Sequence, residues 1–192
     1  MTQGIILAGG YSSRIGQNKM TLSYLGIPLI HHCIQTMMPF VSQIFVITGY
    51  YHDELLTVLH SIPKVTVVYN ELYNQGMFSS VIKGANFVTD DFFIIPGDYP
   101  TVSKSTYDLL QNSKSQIAVP VYQGKKGHPI FIKKELIQDL RNEPLNSNLK
   151  QFRNRHSYEQ IEVNDSGILN DIDTIEDHQK LINNEGVKSY GD

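Results

Sequence analysis

What the chain lacks narrows it first. Cys33 is its single cysteine, so an internal disulfide cannot form and a cysteine-built zinc site is excluded. No apolar run reaches the ~18–20 residues needed to cross a bilayer. The N-terminus has no basic segment leading into a signal-type apolar stretch. Excess positive charge is missing too. Sixteen Lys and Arg against 19 Asp and Glu leave a net charge of −3, which offers no footprint for a nucleic-acid backbone. These absences predict a cytoplasmic protein with neither membrane nor nucleic acid as partner. No G-x-x-x-x-G-K-[ST], G-x-G-x-x-G or H-E-x-x-H is present, and the histidines show no metal-binding spacing. Internal repeats, low-complexity tracts and Pro/Gly/Ser linkers are absent as well. Residues 1–192 therefore read as one domain, with the polar segment 183–192 expected to fray.

What is present is a regular alternation of apolar, β-rich runs and helical patterns. Buried strands are predicted at Ile5–Leu7, Gln43–Thr48, Val65–Tyr69, Phe92–Ile95 and Ile117–Val121, with later ones at Pro129–Ile132 and Tyr158–Val163. Helices are predicted from Leu29 to Met37 after Pro28, and over Asp53–His60, Phe78–Val88 and Lys104–Asn112. Three more follow at Lys133–Leu140, Leu149–Arg155 and Thr174–Asn184, the last with Thr174 as N-cap. Strands that are apolar almost throughout, alternating with helices, imply a mainly parallel sheet covered on both faces. The less regular second half suggests one or two antiparallel additions.

Five stretches carry candidate chemistry. Ile5–Ala8 stops at Gly9 and Gly10, and a loop of small and basic residues follows, ending in Arg14 and Lys19. Glycines let backbone N–H groups turn around an anion, so the loop reads as a phosphate cradle or as a plain turn. The strand Phe92–Ile95 ends in Pro96-Gly97-Asp98, which would put Asp98 at the carboxyl edge of the sheet, where α/β folds bind ligands. A lone carboxylate there suits Mg²⁺, or it caps the following helix. Asp171 and Asp173 flank Ile172 and would share one side of an extended segment, as metal ligands or as part of the next helix cap. Asn70 through Ser80 ends at a helix start with Ser79 and Ser80, groups able to read a base, ribose or phosphate or to serve as an ordinary cap. Lys125 and Lys126 between Gly124 and Gly127, with His128 next, make a basic turn suited to a phosphorylated second substrate or to solvent.

In this order the five segments resemble the nucleotidyltransferases related to molybdenum cofactor cytidylyltransferase and its guanylyltransferase counterpart. The motifs are L-A-G-G-x-S-S-R-x-G-x-x-K at 7–19, N-x-x-x-x-x-G-M-x-S-S at 70–80, G-D-x-P at 97–100, G-H-P at 127–129 and D-I-D-T at 171–174. The resemblance implies a three-layer, Rossmann-like nucleotide-diphospho-sugar transferase fold. It also implies Mg²⁺-dependent transfer of a nucleoside monophosphate, CMP from CTP in the cytidylyl branch, to a molybdopterin-type phosphomonoester. It assigns nucleotide binding to Leu7, Ala8, Gly9, Gly10, Ser12, Ser13, Arg14, Lys19, Asn70, Gly76, Met77, Ser79 and Ser80. Acceptor binding falls to Lys125, Gly127, His128 and Pro129, catalysis to Arg14, Lys19 and Asp98, and metal binding to Asp98, Asp171 and Asp173. A molybdenum hydroxylase or its chaperone would receive the product. Gly9 departs from the L-A-A-G of the cytidylyl branch and matches the guanylyl one, which keeps GTP open as donor. Ile15, Tyr99 and Ile175 stand where methionine, glutamine and proline are usual. The competing readings are a sugar-phosphate or alcohol-phosphate nucleotidyltransferase and a non-catalytic nucleotide- or cofactor-binding protein.

Overall fold

Strand β1 (Gln3–Ala8) is buried along its whole length after Gln3, because every residue from Ile5 to Ala8 faces a helical layer on one side or the other. In this computed structural model residues 1–188 are described, with side chains to Asn183. β1 pairs in parallel with β4 (Gln43–Thr48) on one side and β6 (Phe92–Pro96) on the other, and β5 (Val65–Tyr69) extends the parallel set beyond β4. On the other flank β9 (Ile130–Ile132) is antiparallel to both β6 and β7 (Ile117–Tyr122), and β10 (Tyr158–Glu162) closes that edge parallel to β7. The order is β10-β7-β9-β6-β1-β4-β5, with two-residue β8 (Lys125–Lys126) against β7. The parallel sheet and its antiparallel additions are as the sequence predicts.

Helices α1 (Leu29–Met37), α2 (His52–Leu59) and α4 (Lys104–Gln111) cover one face, packing Ile34, Leu55 and Tyr107 over Ile6, Val46, Phe93 and Ile95. Helices α3 (Met77–Ala85), α5 (Ile137–Arg141) and α6 (Leu149–Asn154) cover the other, over Ile5, Leu7, Ile47, Ile94 and Val119. The result is three layers. Gly84 lets α3 sit close on β1: a Cβ there would stand 2.7 Å from Ile5 Cγ2.

Two features differ from expectation. Helix α7 (Ile175–Lys188) runs past the predicted end at Asn184, while 189–192, the end of the segment expected to fray, lie outside the described residues. A small hairpin of β2 (Ser23–Tyr24) and β3 (Ile27–Pro28) is additional. It turns at Leu25 and Gly26, both at positive φ, and Tyr24 packs with Leu29, Ile172 and Leu181. Two-residue strands are too short for period-2 alternation to register. Among the described residues no helix is long and apolar enough to cross a membrane.

Candidate active site

The carboxyl ends of β1 and β6 meet through backbone contacts before any side chain is considered. Gly97 N donates to Leu7 O at 2.9 Å, and Ile172 N donates to Asp98 O at 3.0 Å, so the loops carrying Asp98 and Asp173 are fastened to the end of β1. Asn18, buried itself, starts a single 3-10 turn over Lys19–Thr21 and accepts from Met20 N, while its amide donates to Glu54. That turn delivers Lys19. Its ammonium donates to Asp98 Oδ2 at 2.5 Å and to Asp173 Oδ1 at 2.9 Å, and Arg14 Nη1 donates to Asp173 Oδ2 at 2.5 Å. Burial pulls the Lys19 ammonium down, but Asp98 and Asp173 outweigh it and hold its pKa above the ordinary lysine value. Burial raises the Asp98 carboxyl above the ordinary carboxylate range despite the lysine. The more exposed Asp173 is lowered, first by its hydrogen bond from Lys19.

Lys19 and Asp98 line a cavity of about 300 Å³ together with Leu7, Gly9, Gly10, Gly76, Met77 and Ser80. Ser12, Ser13 and Arg14 line an adjoining cavity of about 240 Å³ that shares Gly10 and Lys19 and ends at Asp173. Three residues assigned to the nucleotide sit behind these walls. Ala8 belongs to the buried core. Asn70 donates to the hydroxyls of Ser79 and Ser80 at 2.9 and 3.0 Å and accepts from Leu72 N, and Ser79 donates to Leu72 O and Gly76 O. Asn70 and Ser79 therefore shape the 70–77 loop rather than face the cavity. Ser12 Oγ likewise accepts from Lys19 N at 3.2 Å, bracing the loop across its mouth.

The capping alternatives resolve by position. The N-cap of helix α4 is Ser103, held in place by buried Asp165, whose Oδ2 accepts from Ser103 N at 2.8 Å and Thr106 Oγ1 at 2.6 Å, and Asp98 has no part in it. Helix α7 begins with a reciprocal box. Thr174 Oγ1 accepts from Asp177 N, and Asp177 Oδ2 accepts from Thr174 N. Asp98 and Asp173 are thus free of capping duty. Asp171 is exposed and lines an outer cavity with Arg14 and Asp173. Burial and then the charges of Asp171, Asp98 and Asp173 hold the Tyr99 phenol above its ordinary range, so all three acids bear on this point. Among the described residues no three His, Cys, Asp or Glu side chains could hold a metal ion by themselves. Mg²⁺, however, takes one or two carboxylates plus substrate phosphates and water. Asp98 Oδ1 is buried without a hydrogen-bond partner, an acceptor of the kind a hard cation takes, so Asp98 with Asp173 fits that requirement.

The acceptor-side residues gather at a separate cavity of about 270 Å³. Gly127 and His128 line it, with Tyr99, Lys126, Lys150 and Arg153. Gly127 is required by contact, since a Cβ would fall 2.2 Å from Ile168 O, and His128 N donates to that same oxygen at 3.0 Å. Pro129 is buried and Lys125 is exposed beside the cavity, so Lys126 supplies the turn's charge to it. His128 Nδ1 is buried and without a partner, and burial lowers the imidazole pKa to about 4, leaving it neutral at pH 7. Its ring meets Tyr99 edge-on at 5.1 Å, which links this cavity to the Asp98 loop. Sequence reasoning missed Lys150 and Arg153; their i, i+3 spacing on one face of α6 was the available signal.

A mainly parallel sheet with a glycine-rich loop after β1 and a lysine-bridged acid pair at its edge is the arrangement of a nucleotidyltransferase of the nucleotide-diphospho-sugar transferase fold, and the likenesses to known proteins place the chain there. A Methanothermobacter nucleotidyl transferase has the same fold, with a TM-score of 0.82 at 19% identity, covering 96% of this chain and 97% of that one. The chain belongs to the MobA-like NTP transferase family, whose domain profile matches residues 4–161. It is 30% identical over 175 residues to the molybdenum cofactor cytidylyltransferase of Escherichia coli K12, covering 90% of this chain and 91% of that protein. It is also 30% identical over 129 residues to a probable molybdenum cofactor guanylyltransferase of Bacillus cereus, covering 64% and 63%.

Proposed function

We propose that this chain transfers CMP from CTP to the terminal phosphate of a molybdopterin-type cofactor and releases pyrophosphate. The observation that carries the reading is Lys19, held between Asp98 and Asp173 on the wall of a cavity that Gly9, Gly10 and Ser80 also line. An in-line attack of one phosphate oxygen on another phosphorus needs alignment and charge neutralisation more than covalent help. The glycines admit the triphosphate close to the backbone. Lys19 and Arg14 offset charge that builds on the α-phosphoryl oxygens and the leaving pyrophosphate. Asp98 and Asp173 would hold Mg²⁺, which supplies further neutralisation of phosphate charge when bound. No general base is required, because the attacking monoester is already anionic near neutral pH. The neutral His128 imidazole offers a hydrogen bond to the acceptor and not a charge. The likeness over nine-tenths of the chain to a cytidylyltransferase supports CTP and the molybdenum cofactor as substrates. A molybdenum hydroxylase or its chaperone is the matching recipient of the product.

One residue favours GTP instead. A Cβ on Gly9 would stand 3.0 Å from Ser80 Oγ, so a glycine here leaves the Ser80 hydroxyl its place on the cavity wall. The deciding experiment is a panel of NTPs against molybdopterin cofactor, read as pyrophosphate release. CTP-dependent release supports the proposal. GTP-dependent release assigns the guanylyl reaction, and no release with any NTP rejects the cofactor as acceptor. Gly9→Ala, which makes the loop L-A-A-G, should move the CTP-to-GTP preference toward CTP by about tenfold, the scale of one added methyl in a pocket.

A further inference from the structure

Three tyrosines stand at the carboxyl ends of three adjacent parallel strands. Tyr11 follows β1, Tyr50 follows β4 and Tyr73 follows β5, and their rings converge. Tyr11 lies 5.0 Å from Tyr50 and 5.6 Å from Tyr73, with interplanar angles of 47° and 58°, and Tyr50 and Tyr73 meet at 61°. Tyr11 is 46% exposed and Tyr50 55% exposed, a costly place for aromatic surface with nothing to cover it. Tyr11 and Tyr73 line the same 300 Å³ cavity as Lys19 and Asp98, while Tyr50 does not. Tyr50 instead backs them: its N–H donates to Gly9 O at 3.4 Å. Gly49 lets the three loops close up, for a Cβ there would fall 2.5 Å from both Gly9 O and Tyr73 Cβ. The cavity thus joins a charged part that suits phosphates to an aromatic part that suits a planar apolar surface. No two of the three rings lie parallel, so none is stacked face to face on another.

We propose that Tyr11 and Tyr73 form a stacking platform for the nucleobase, buttressed by Tyr50, and that it gives affinity without choosing the base. This rests on the nucleotide reading above. Every base has a π-face, so stacking is tolerant of identity, whereas choice among bases needs hydrogen bonds to their edges. The platform would serve CTP and GTP alike and leave discrimination to the Gly9–Ser80 wall.

The test uses the full chain, which contains no tryptophan, so its 11 tyrosines dominate ultraviolet emission. Kd for CTP, for GTP and for ribose 5-triphosphate, which lacks a base, would be measured by calorimetry alongside tyrosine quenching. Tyr11→Ala should weaken CTP and GTP by the same factor, about 10–100-fold from the usual value of a base–aromatic stack, and leave ribose 5-triphosphate unchanged. Tyr11→Phe should retain the affinity. Tyr73→Ala should act in the same direction, and a thermal melt would establish that each variant is folded. Unchanged CTP and GTP binding in folded Tyr11→Ala overturns the platform. An equal loss for ribose 5-triphosphate also overturns it, because Tyr11 would then be shaping the phosphate loop. If the wild-type chain binds ribose 5-triphosphate but gains nothing from a base, the platform fails while the phosphate site stands. If it binds neither nucleotide nor ribose 5-triphosphate, the nucleotide reading falls with it.

Discussion

Around β1, the cations Lys19 and Arg14 are matched one for one by the carboxylates of Asp98 and Asp173. Around β7 and α6, Lys126, Lys150 and Arg153 line a cavity with no ion-pair partner among the described residues, and Lys126 and Arg153 instead lie over the Tyr158 ring. The two sites therefore await different things. The balanced site can give Lys19 to a phosphate only when another positive charge takes over Asp98 and Asp173, so an NTP with its divalent cation is the ligand that suits it. On the proposed reading, the unbalanced site would take the anionic acceptor directly. Its cations pair with no carboxylate among the described residues, Arg153 donating instead to Asn154 Oδ1, while Lys19 is fixed by a buried pair whose one-sided loss is costly.

Breaking the balanced side should have the largest effect. Asp98→Asn keeps the shape but removes the charge, and should lower divalent-dependent pyrophosphate release roughly 10³-fold or more, the equivalent of several kcal/mol of phosphate-charge stabilisation. Activity near wild type would remove Asp98 from metal binding. Lys19→Ala should cut turnover about 10²–10³-fold while changing NTP Kd by less than about tenfold, because its charge matters most where negative charge grows. Equal losses in Kd and turnover would reduce Lys19 to a binding residue.

The unbalanced side should respond more gently. Lys150→Ala or Arg153→Ala should raise the acceptor KM by roughly tenfold, in line with loss of one charge-assisted hydrogen bond, and leave NTP Kd alone. An NTP effect of equal size would erase the distinction between the two sites. The last effect concerns stability and leaves the chemistry untouched. His128 has a folded pKa of about 4, below its unfolded value near 6.5, so the unfolded chain binds the extra proton first. Its contribution is complete above pH 6.5 and is lost as the pH falls toward 4. About 1–3 kcal/mol is at stake, since part of the ring still reaches solvent. The drop in Tm between pH 6.5 and 4 should flatten in His128→Gln; an unchanged drop would place the acid sensitivity elsewhere.

Much of this was legible in the residues because the signals are local. Apolar runs such as Phe92–Ile95 and the stripe Ile30, Cys33, Ile34 and Met37 register a strand and a helix through period alone, and both appear as expected. Asp98 and Asp173 were ambiguous for the opposite reason. A carboxylate before a helix is compatible with capping until the helix start is seen, and the starts proved to be Ser103 held by Asp165 for α4 and the Thr174–Asp177 box for α7. Asp165 lies 62 positions from the Ser103 amide it holds, so no window of sequence shows the pairing. The tyrosine trio was illegible likewise, since the sheet order assembles it from segments far apart, whereas Lys150 and Arg153 show in sequence only as an i, i+3 pair until the fold sets them beside Lys126 and His128.

By itself the sequence determined the layered α/β architecture, the glycine-rich loop and the chemical kind of each motif, because backbone freedom, burial period and side-chain charge are properties of short stretches. The tertiary structure alone decided which charges meet. It put Lys19 between Asp98 and Asp173, turned Asn70 and Ser79 inward as loop braces, left Asp171 exposed, and set Tyr11 and Tyr73 beside the glycine-rich loop. The physical reason is parallel pairing, which brings the carboxyl ends of strands separated by dozens of residues to one edge. Proximity there follows strand order and not chain order.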